Sequence, residues 1–98
     1  MEAHKVFMLN LKYRRLKKNY TQRYMAEMLN LTRSAYSKWE NGMCEPKVSM
    51  LTHITKALDV SIDQLFDESI TEKMVCDLEE RVFLEAHKQK VVCDTPYK

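Results

Sequence analysis

The sequence predicts an all-α fold, and three observations predict it. The 98 residues include one Gly and two Pro, too little backbone punctuation for a strand-rich fold with many turns. Ala, Leu, Met, Lys and Glu, all good helix formers, recur throughout. Apolar residues return at spacings of three and four, the period of a half-buried helix. Hydrophobic residues make up 45% of the chain, enough for a real core, and the length suits one compact domain with an appendage.

Residues 5–18 are predicted as the first helix, with Val6, Leu9, Tyr13 and Leu16 as its stripe. Asn19 is placed to end it in the left-handed conformation that Gly usually supplies. Thr21 caps a second helix, Gln22–Leu29, whose inner residues are Met25, Ala26, Met28 and Leu29. Asn30 takes the positive φ of the next turn, Leu31 points inward and Thr32 caps a third helix, Arg33–Asn41. Gly42 stops it. After a loop at Met43–Pro46, a fourth helix starts at Lys47 or Ser49 and ends near Leu58, with Met50, Leu51, Ile54 and Leu58 buried. Ser61 caps a short fifth helix in which Ile62, Leu65 and Phe66 close the core. Thr71–Gln89 reads as a sixth, with Met74 or Val75, Leu78, Val82 and Glu85 or Ala86 on one side and Phe83 and Leu84 widening the stripe. Val91–Cys93 is compatible with a strand or a loose end.

The net charge of +2 hides an asymmetry. Residues 1–66 hold 11 Lys/Arg against 6 Asp/Glu, and residues 67–98 hold 5 against 8. Six basic residues and no acid lie between Lys12 and Arg23. A positive front with an acidic tail suits a protein that holds phosphates with one part only. The three cysteines, Cys44, Cys76 and Cys93, form no CxxC pair and have no His at ligand spacing, so reduced thiols, no metal and no cofactor are expected. No segment has the pattern of a signal peptide or the ~20 apolar residues of a membrane span. A soluble, cytoplasmic protein with no membrane partner is expected. No Ser/His/Asp arrangement, Gly-rich phosphate loop or carboxylate pair supports an enzyme.

The most specific segment is Thr21–Gly42, TQRYMAEMLNLTRSAYSKWENG. It reads as two short helices joined by a tight turn. Ala35, Tyr36 and Trp39 form the inner face of the second helix, and Arg33, Ser34, Ser37 and Lys38 its outer face. Together with NLKYRRLKKNYTQ before it, the EP after it and LTHITKALDVSIDQLF, this segment resembles the helix-turn-helix domain of the phage repressor/Cro (Xre) family over about Leu11–Phe66. Asn19 and Asn30 stand where that family often has Gly, and Arg14 where many members have an apolar residue.

The resemblance implies a five-helix lambda-repressor-like domain over residues 1–66, binding double-stranded operator DNA as a homodimer. Gln22 is then expected to contact a phosphate and brace the recognition helix. Arg33 and Ser34 face base edges, Ser37 and Lys38 follow one turn later, and Asn41 meets the backbone. Arg15 and Glu40 are expected to form a structural ion pair beneath that helix. Trp39 and Tyr36 belong to the core by phase, with the Tyr36 hydroxyl near the DNA backbone. Lys12, Lys17 and Lys18 are candidates for phosphate contact. His4, His53 and His87 have no partner by spacing.

Residues 67–98 form a C-terminal helix and tail. Its stripe is expected to pair with a second copy through Met74–Ala86, the other option being packing back onto helix 1 or 5. The function expected is sequence-specific binding by a transcriptional regulator, a repressor. The alternatives are an antitoxin that represses its own operon and holds a toxin through 67–98, and a protein-interaction module on the same scaffold.

Overall fold

The computed structural model describes the backbone of residues 2–88 and the side chains of residues 2–82. Among these residues six helices follow in order: α1 (Ala3–Lys17), α2 (Gln22–Met28), α3 (Arg33–Glu40), α4 (Val48–Leu58), α5 (Ile62–Leu65) and α6 (Glu72–Lys88). There is no strand among the described residues. Asn41 is the C-cap of α3 and stands outside the helix expected to include it.

The stops of α1 to α4 share one device. Asn19, Asn30, Gly42 and Asp59 take φ of 61°, 59°, 78° and 58°. Each is followed by a backbone bond reaching five residues back, from the N–H of Tyr20, Leu31, Met43 and Val60 to the carbonyls of Arg15, Ala26, Lys38 and Thr55. These bonds satisfy carbonyls that a helix end leaves open. Thr21, Thr32, Ser61 and Thr71 accept from the backbone N–H three residues on, and Ser61 forms a full capping box with Gln64.

α1 carries two apolar faces where the spacing suggested one. Phe7 and Leu11 join Met25, Ala26, Leu29, Tyr36, Trp39, Ile54, Leu58 and Leu65 in the main core. Leu9 and Leu16 pack with Ile70 and Val75, flanked by Tyr13, Met74, Leu78 and Val82. The stripe read from the sequence is largely this second face. A helix buried on both sides blurs its own period, which hid Phe7 and Leu11. Between the faces, Asn10 is completely buried and donates Nδ2 to the carbonyls of Val6 and Asp67, both at 2.9 Å.

The apolar stripe of α6 from Met74 to Val82 is therefore occupied by α1 of the same chain. The side chains of Phe83, Leu84, Glu85, Ala86 and His87, and the segment Val91–Cys93, lie outside the described residues. Two inward assignments change. Met28 is exposed, and Ile62 is 43% exposed because α5 turns it outward while Leu65 enters the core. No described helix is long and apolar enough to cross a membrane.

Candidate nucleic-acid interface

α2 and α3 meet through their inner faces, and α3 is held from below by a buried carboxylate. Glu40, the last residue of α3, has a side chain with no solvent exposure. It accepts from Arg15 Nε at 2.6 Å and Arg15 Nη2 at 3.2 Å. Gln22 Nε2 donates to it at 3.0 Å. The Tyr36 hydroxyl donates to Oε2 at 2.5 Å. Arg15 also donates Nη1 to the carbonyl of Tyr20, 2.8 Å away, so the turn before α2 joins the same group.

The electrostatics agree with the geometry. Burial works against the Arg15 charge, but the bonds and attraction to Glu40 outweigh it, and the guanidinium is held more firmly protonated than usual. Burial, and then the negative charge of Glu40, push the Tyr36 phenol well above its ordinary range. Tyr36 thus stays a neutral donor. The residue is completely buried, and its hydroxyl is engaged by Glu40.

The outer face of α3 is open. Arg33, Ser34 and Lys38 are exposed, Ser37 is half-buried, and Asn41 donates Nδ2 to Ser37 Oγ at 3.4 Å. Arg33 and Lys38 form no ion pair among the described residues. Gln22 is half-buried, with its amide turned to Glu40.

The cations of α1 are used differently. Lys12 reaches Glu79 at 2.6 Å, Lys5 reaches Glu72 at 3.7 Å and Arg14 reaches Asp67 at 3.6 Å. Arg14 is half-buried against α5, with Nη2 donating to the Gln64 carbonyl at 3.4 Å. Of the three lysines considered for phosphate contact, Lys12 is thus the one paired with an acid. Lys17 and Lys18 stay exposed, Lys17 lying 5.9 Å from the Tyr13 ring centre.

A sequence profile described as Helix-turn-helix matches residues 11–65. The chain belongs to the helix-turn-helix family. Three curated proteins are similar to it. An uncharacterized HTH-type transcriptional regulator, YqaE of Bacillus subtilis (strain 168), is 40% identical over 77 residues, 79% of this chain and 66% of that protein. The SPbeta prophage-derived uncharacterized HTH-type transcriptional regulator YonR of the same organism is 44% identical over 55 residues, 56% of this chain and 51% of its own. The HTH-type transcriptional activator BcrR of Enterococcus faecalis is 45% identical over 56 residues, 55% of this chain and 28% of its own. The chain thus spans less than two thirds of the length of each. No solved structure matches it.

Two contacts of this helix-turn-helix protein escape sequence reasoning. His4, expected to have no partner, places Nε2 3.1 Å from the Gly42 carbonyl and Nδ1 2.9 Å from Glu45, 38 and 41 residues away. Gly42 also packs so tightly under α1 that a Cβ there would sit 2.6 Å from Met8 Sδ. No local pattern marks His4 or Met8, since both partners are distant in sequence. Asn10 carried a faint signal, being the polar residue between Leu9 and Leu11 on a helix with apolar groups on both sides.

Proposed function

We propose that this protein binds double-stranded DNA in a sequence-specific way, as a dimeric transcriptional regulator that represses by occupying its operator, and that it is not an enzyme. The observation that carries the reading is the contrast within α3. Its inner face is locked by a saturated buried carboxylate, while its outer face presents Arg33, Ser34 and Lys38 to solvent. A rigid helix with a cationic, hydroxyl-bearing outer face fits the major groove. Arg33 and Lys38 suit guanine O6 and N7, Ser34 and Ser37 reach further base edges or phosphates, and Asn41 and Gln22 meet the backbone. The naming of similar proteins as transcriptional regulators supports the same reading. A cytoplasmic location follows from it.

Pairing of two copies belongs to the proposal, because a symmetric dimer sets two recognition helices about 34 Å apart, one turn of DNA. The Met74–Val82 part of α6 faces α1, so the pairing contact is sought elsewhere on the protein. Selection of bound duplexes from random DNA tests the whole reading. A half-site repeated at one-turn spacing is expected. Arg33→Ala or Lys38→Ala should weaken binding to the selected site by about 1–3 kcal/mol and relax one position. Unchanged selectivity in both variants would remove α3 as the reading head. Binding should also fall steeply with salt, and a flat response would favour a protein-interaction module.

A further inference from the structure

The buried Glu40 carboxylate has one donor whose presence its charge does not explain. Arg15 neutralises it, and Gln22 joins it to the edge of the interface. Tyr36 brings no charge and joins no second helix, since it sits four residues before Glu40 in α3 itself. Phenylalanine would fill the same core space without the hydroxyl.

What the hydroxyl adds is a second hold on Oε2, which fixes the carboxylate plane together with Arg15. Arg15 donates to both oxygens, Nε to Oε2 and Nη2 to Oε1; Tyr36 adds a second donor on Oε2, while Oε1 also accepts from Gln22 Nε2. A carboxylate only accepts, so it fixes the Gln22 amide with its NH₂ group inward. One amide hydrogen of Nε2 then points to Glu40 and the second remains for an outer acceptor. A phosphate is such an acceptor.

We propose that Tyr36 is a positioning residue for DNA recognition: its hydroxyl sets the Glu40 carboxylate that orients Gln22, and so couples the phosphate contact of α2 to base reading by α3. This rests on the DNA-binding reading above. Operator binding, which needs both contacts in register, then depends on the hydroxyl more than binding to unrelated DNA does.

The test uses the full chain, a duplex selected by it from random DNA, and an unrelated duplex of equal length. Tyr36→Phe should keep its helical circular dichroism and lose about tenfold in affinity for the selected duplex, the scale of one hydrogen bond to a charged group. Affinity for the unrelated duplex should change by less than about twofold. In a Gln22→Ala background the same substitution should cost less than about threefold, because the residue it positions is gone.

Equal losses on both duplexes, equal effects in both backgrounds, or a Tyr36→Phe chain that does not fold would each overturn the positioning role. An unaltered chain that selects no sequence would overturn the DNA-binding reading and this proposal with it. A selective unaltered chain whose Tyr36→Phe variant keeps its selectivity would overturn the proposal alone.

Discussion

The two faces of α1 use the same 15-residue helix in different ways. Toward α3 it contributes Phe7 and Leu11 to the main core and Arg15 to a fully hydrogen-bonded buried pair. Toward α6 it contributes Leu9 and Leu16, bordered by ion pairs that water reaches. The first attachment fixes geometry, because a buried charge stripped of its partner is costly. The second is held by apolar burial, because an ion pair in water adds little. The surface acids of residues 67–79 have a further effect. They pair with Lys5, Lys12 and Arg14, whereas Arg33 and Lys38 of α3 are exposed and have no ion-pair partner among the described residues.

Four measurements can break or sharpen this contrast. The largest effect is expected for Glu40→Ala, which strands Arg15 in the core. It should destabilise the fold by about 3–5 kcal/mol in urea titration. A loss under about 1 kcal/mol would place the pair with surface ion pairs and dissolve the distinction. Leu9→Ala, on the α6 side, should cost about 2–3 kcal/mol by loss of buried apolar volume. A near-zero cost would mean that α6 does not grip α1 in solution.

The third is a pH effect. The folded phenol of Tyr36 titrates above the unfolded one, so its contribution is complete below the ordinary tyrosine range near pH ~10 and falls as pH rises through the folded value. Stability should decline there by no more than about 1.4 kcal/mol per pH unit from this group. Tyr36→Phe should lack that component, which parallel melts at alkaline pH can show. The smallest effect is that of Lys12→Ala. Its pair with Glu79 is partly exposed, so about 0.2–1 kcal/mol is expected, shrinking with added salt. A salt-independent loss would show that the α6 edge is drier than its exposure indicates.

The helices and their stops are legible from sequence because their causes are local. A threonine or serine cap acts on an N–H three residues away, and the left-handed turns at Asn19, Asn30 and Gly42 depend on side-chain size and a short backbone bond. Asp59 takes the same conformation. The phase of α3 is legible too, since its outer face is wet and its inner face dry. What tertiary structure alone decided is partnership. Phe7 and Leu11 are obscured because α1 is buried on two sides, so no single stripe describes it. α6 carries a stripe whose period says that it will be covered, while only the fold shows α1 as the cover. His4 meets Gly42 and Glu45, and Asn10 meets Asp67, across separations of 38 to 57 residues; the Arg15–Glu40 pair, by contrast, is expected from the family resemblance. Periodicity and capping are short-range properties of a chain. The choice among possible partners for a buried group depends on how the helices converge, and that is set by the packed whole.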